Sequence, residues 1–149
     1  MRCLFLAALL LAPLPAMAGP CTAQRLTGIW SLVSIRSAEP GVEAFYANAP
    51  NEVMRFGARG DFIYVAGAQR FTTMAGATRD LDRADAVDGV SYSFRVAGER
   101  LMLFRDGQPF EGFVCNIADR GADGAAAGDV ILTNLPGRPA LRRIERRFR

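Results

Sequence analysis

Leu26-Thr27-Gly28-Ile29-Trp30-Ser31-Leu32-Val33-Ser34-Ile35 holds the only tryptophan of the chain. Gly28 gives the backbone turning freedom two residues before Trp30, and a run of β-formers follows. The stretch predicts a first strand from Gly28 to Arg36, broken by Ser37-Ala38-Glu39-Pro40-Gly41. Ahead of it, Cys21 to Arg25 reads as a turn or one helical turn across a barrel mouth. Beyond it, the sequence reads as short strands that wrap back onto this one.

Val42 to Asn51 predicts a loop with Phe45-Tyr46 packed beneath it. Glu52–Phe56 and Asp61–Val65 form a hairpin around Gly57-Ala58-Arg59-Gly60, and Gln69 to Met74 reads as a further strand. Ala75 to Gly89 is polar and reads as a loop. Val90 to Val96 alternates with period two, placing Val90, Tyr92, Phe94 and Val96 on one face. Arg100–Arg105 follows, and Asp106-Gly107 is a hairpin turn. Strands then fall at Phe110–Ala118, Val130–Thr133 and, from context alone, Leu141–Phe148. The expected fold is all-β: a small antiparallel up-and-down barrel of about eight strands.

Composition narrows the chemistry. The chain has 149 residues, 18 basic side chains that are all arginine, 15 acids and no histidine. Without histidine there is no His general base, Ser-His-Asp or Cys-His triad, or His-ligated metal; without lysine there is no Schiff-base chemistry. No serine has an identifiable base, and nothing places a carboxylate pair in a cleft. The reading is therefore of a non-enzyme, with no cofactor and no metal. The Asp80-Leu81-Asp82-Arg83-Ala84-Asp85 run lacks the ligand and glycine spacing of a calcium loop, and Arg79 and Arg83 neutralise it.

Met1 to Ala18 reads as a signal peptide: Arg2 in the n-region, an apolar run too short to span a bilayer, and an Ala16-Met17-Ala18 cleavage site. Residues 19–149 then form one domain, exported to the periplasm or secreted, with no later transmembrane segment. Removing Arg2 leaves 17 arginines against 15 acids, too mild a balance to indicate nucleic acid. Cys21 and Cys115 remain and read first as one disulfide closing a loop of about ninety residues, with two free thiols as the alternative. The run Arg138, Arg142, Arg143, Arg146, Arg147, Arg149 reads as a charged edge strand, or as a surface for anionic headgroups or an acidic partner.

Gly28-Ile29-Trp30 is similar to the G-x-W that opens the first strand of lipocalins. "LTGIWSLVSI", "GVSYSFRVAGERLMLF" and "GDVILTNL" resemble bacterial lipocalin-like domains of the calycin superfamily. The resemblance implies a barrel closed at one end, with Trp30 near that end and an arginine of the last strand lying across its ring. The candidates are Arg142, Arg143, Arg146 and Arg147, of which Arg142 or Arg146 is the expected partner, because they share strand parity with Ile144 and Phe148. It also implies an apolar interior, for which Met54, Phe56, Phe62, Tyr64, Tyr92, Phe94, Met102 and Phe104 are the candidate lining residues. Large residues at this density favour a filled core, whereas a cavity would hold one small apolar ligand. The alternative function is a protein-interaction module. Small periplasmic protease inhibitors share the G-x-W start and single disulfide, and act through an N-terminal arm.

Overall fold

A computed structural model describes residues 18–87 and 89–149. The signal-peptide reading falls on residues 1–17, outside the described residues, and on Ala18. The described elements are β1 (Ala18–Pro20), α1 (Ala23–Leu26), β2 (Gly28–Ser37), α2 (Val42–Asn48), β3 (Asn51–Phe56), β4 (Phe62–Gly67), α3 (Met74–Val87), β5 (Tyr92–Ala97), β6 (Arg100–Arg105), β7 (Gln108–Ala118), β8 (Val130–Asn134) and β9 (Leu141–Arg147).

From β2 to β9, antiparallel pairing follows chain order, apart from the β4–β5 step, and β9 returns to pair with β2. The eight strands make a nearly closed barrel. The seam lies between β4 and β5. There Phe94 N–H donates to Gly60 O at 2.8 Å, Asp61 bridges Ser93, and further along the Tyr64 and Tyr92 rings stand 6.4 Å apart. The additional strand β1 pairs with β7 and leads to the Cys21–Cys115 disulfide, so the pairing expected of these cysteines is present. No described helix is long and apolar enough to cross a membrane.

Three segments differ from the sequence expectation. Residues 42–48 form helix α2 rather than a loop, and Phe45 is 53% exposed instead of packed beneath it. Residues 69–73 are not a strand, and most of the predicted polar loop 75–89 is helix α3. Ala77, Leu81 and Ala84 lie at helical spacing and pack on Val53 and Ile63, the outward residues of β3 and β4. The aspartates lie outside that stripe: Asp82 reaches Arg55 of β3 at 2.5 Å and Asp80 pairs with Arg83 at 3.9 Å. The run that invites a calcium-loop reading is therefore helical.

The arginine-rich ending is not an edge. β9 sits between β2 and β8 with partners on both sides. Its run of charge is taken apart residue by residue. Arg142 donates to Asp123 O at 3.0 Å, Arg146 pairs with buried Asp129 at 2.7 Å, Arg143 points inward, and Arg147 crosses Trp30.

Candidate functional site: a cavity with a buried charged wall

The closed end explains the G-x-W. Trp30 is fully buried, and its Nε1 donates to Leu26 O at 2.6 Å. The Arg147 guanidinium lies 4.5 Å from the indole centre. Its Nη1 donates to Thr27 O and its Nη2 to Arg25 O, both at 2.9 Å. These donors serve carbonyls at the C-terminal end of α1, which have no partner within the helix. Gly28 has φ +136°, and a β-carbon there would collide with Arg147 Nη1. The glycine thus makes room for the arginine that covers the tryptophan.

This corrects the expected partner: it is Arg147, not Arg142 or Arg146. Trp30 pairs directly with Arg147 across the β2–β9 ladder. The parity argument took the face of Ile144 and Phe148 as the inside. In fact Ile144 packs outward against Ala118, Ala125 and Ile131, and Phe148 joins the cluster under α3. The inward face of β9 carries Arg143, Glu145 and Arg147.

At the other end the interior opens into a cavity of about 270 Å³. Met54, Phe56, Phe62 and Tyr64 line it, as expected from the sequence. Phe94 lies beside it in the core, edge-on to Phe56 at 4.9 Å, and Tyr92 packs between Tyr64 and Phe110. Met102 and Phe104 are corrections. On β6 it is Leu101 and Leu103 that face the cavity, while Met102 lies against Gly112 and Phe104 beneath Arg95, 5.0 Å from its guanidinium. Alternation along the strand allows only one of these pairs inside.

The rim is aromatic. Phe45 from α2, Tyr64 and Phe110 line the cavity, with Tyr64 41% and Phe110 43% exposed. Phe110 stands out because the β6–β7 register shifts there, Leu103 facing Glu111 and Phe104 facing Pro109. A similar shift on β2 between Leu32 and Ser34 turns Ile35 inward, opposite Arg143.

Sequence reasoning missed the polar wall. Arg143 Nε and Nη2 donate to Glu145 Oε1 at 3.0 and 2.8 Å, Nη2 also donates to Glu52, and Nη1 donates to the Tyr46 hydroxyl at 3.1 Å. Tyr46 in turn donates to Glu52 Oε2 at 2.8 Å. Burial opposes the Arg143 charge, but Glu145 and Glu52 outweigh it and hold the guanidinium above its ordinary value. Burial raises the Tyr46 hydroxyl, so it remains a donor. Burial also pushes the Glu145 carboxyl up to about 7, with Glu52 adding to it and Arg143 pulling back. Glu145 Oε2 is buried without a hydrogen-bond partner among the described residues. The signal in the sequence was the period-two run Leu141, Arg143, Glu145, Arg147. Its charges argued against an inward face, and only the Trp30–Arg147 register reverses that.

Glu39 and Glu111 complete the mouth. Though Glu111 keeps contact with solvent, the surrounding protein raises its carboxyl above the usual range, with Glu52 and Glu39 adding repulsion and Arg143 opposing it. The arrangement offers an apolar pocket with one polar side. Compared with protein-family models, curated proteins and solved structures, the chain matches none.

Proposed function

We propose that this protein is an exported, lipocalin-like carrier that takes one small, largely apolar ligand into its barrel and performs no covalent chemistry on it. The observation that carries this reading is the cavity of about 270 Å³, open at an aromatic rim and lined mainly by Met54, Phe56, Phe62, Leu101, Leu103 and Phe113. Binding would draw on burial of apolar ligand surface, on the order of 25 cal/mol per Å². The disulfide supports export, because such bonds persist in oxidising compartments. The Trp30–Arg147 closure supports the lipocalin likeness. The inhibitor-like alternative has less behind it, since Ala18–Pro20 is paired to β7 and Cys21 is bonded to Cys115, which leaves little free arm.

Titration with a fluorescent apolar probe, after delipidation, tests the proposal. Saturation at one probe per chain, displaced by the native extract, is expected. If no apolar probe binds, the carrier reading falls.

A further inference from the structure

Resting on the carrier reading, we infer that the ligand's polar end is a cation of the alkylammonium class, not a carboxylate. Arg143 is the single cationic side chain among the residues lining the cavity, and at first sight it suits a fatty acid. Its donors are already committed. Nε serves Glu145, Nη2 serves both Glu145 and Glu52, and Nη1 serves Tyr46, so four of its five N–H groups are occupied. Two carboxylates stand against its single charge before any ligand arrives.

Of the other polar side chains of the lining, Tyr46 donates to Glu52 and Asn134 donates to Pro139 O, which leaves Glu39, Glu52 and Glu111 as acceptors. Glu39 and Glu111 reach the mouth, and among the described residues neither carboxylate has an ion-pair partner in the structure. Glu52 and Glu39 both lie near enough to Glu111 for their charges to act on its carboxyl. Deeper in, Glu145 Oε2 has no hydrogen-bond partner among the described residues. Three carboxylates of the lining, Glu39, Glu52 and Glu111, set against the one guanidinium repel a carboxylate and attract an ammonium. The rim adds Phe45, Tyr64 and Phe110, whose ring faces favour a passing cation. An ammonium bound at the mouth would relieve the repulsion that Glu39 and Glu52 exert on Glu111, while its alkyl chain follows Met54, Phe56 and Leu103 inward.

Calorimetric titration of the protein with octylamine, octanol and octanoate at pH 8 separates the classes, since the amine is protonated there and the acid ionised. Octylamine is expected to bind about tenfold tighter than octanol, and octanoate weakest. E111Q and E39Q are expected to lower the amine-to-alcohol affinity ratio several-fold. Octanoate binding as tightly as octylamine overturns the inference, as does a ratio that neither substitution moves. Octanol binding without any preference for the amine overturns the inference while leaving the carrier reading intact. If none of the three binds, both fall together.

Discussion

Gly28, Trp30 and Arg147 form a unit in which each residue explains another. The guanidinium stacks on the indole, shields it from solvent and ties off two carbonyls of the α1 end, and only glycine leaves it space. Arg147→Ala should cost about 1–2 kcal/mol, the sum of one partly exposed cation–π contact and its hydrogen bonds. Scanning calorimetry should show a fall in the melting midpoint of about 5 °C. Arg142→Ala, which loses one exposed hydrogen bond, should stay within about 0.5 kcal/mol of the parent. Equal effects from the two would break the closure argument. Glu145 makes a second prediction. Its carboxyl titrates near 7 in the fold against 4.5 for the ordinary group, so the folded chain holds this proton more tightly than the unfolded one. A raised value stabilises fully below about 4.5, and that contribution is lost as pH rises through about 7; at most about 3 kcal/mol is involved. The melting midpoint should fall between pH 5 and pH 8, and Glu145→Gln should flatten the slope. Identical slopes in parent and variant would remove Glu145 as the cause.

Among the elements, β1 and the start of the chain depend on the covalent link to β7. The Cys21–Cys115 bond spans 94 positions. A loop of that size is worth about 4 kcal/mol in the chain-entropy picture. Urea unfolding with and without reductant should show a lower midpoint in the reduced protein by that order; coincident curves would mean the bond constrains little. Strand positions were largely legible in the sequence because period-two alternation and glycine turns act locally, as in Tyr92–Ala97 and at Asp106-Gly107. Strand faces were not. The apolar residues Ile144 on β9 and Phe148 just beyond it point outward, because the 118–125 segment and α3 cover them, while Arg143 and Glu145 are charged and still buried. Which face of a strand is inside depends on what lies over the other face, and α3 was hidden by its own composition. Its buried stripe is only Ala77, Leu81 and Ala84, too small to stand out among four aspartates and two arginines in and beside it. The same blindness put Met102 and Phe104 inside in place of Leu101 and Leu103.

For the molecule as a whole, the barrel's two ends do different work. One end is filled by Trp30 and Leu26 and locked by Arg147; the other keeps a cavity beside a charged wall. Strand β6 offers a way to test whether that cavity is where binding happens, because its two faces look in opposite directions. Leu103 lines the cavity and Phe104 lies outside beneath Arg95. Leu103→Trp puts indole into space the ligand would use. Overpacking a full core typically costs about 1–3 kcal/mol, but here the added ring enters a void, so the melting midpoint should hold or rise. Affinity for an apolar probe should drop about tenfold or more. Phe104→Ala, one residue along and on the outer face, should lower stability through its lost contact with Arg95 and leave probe affinity unchanged. A Leu103→Trp protein that folds and binds as the parent does would place the binding surface outside the barrel. The aromatic rim of Phe45, Tyr64 and Phe110 would then be the surface to examine.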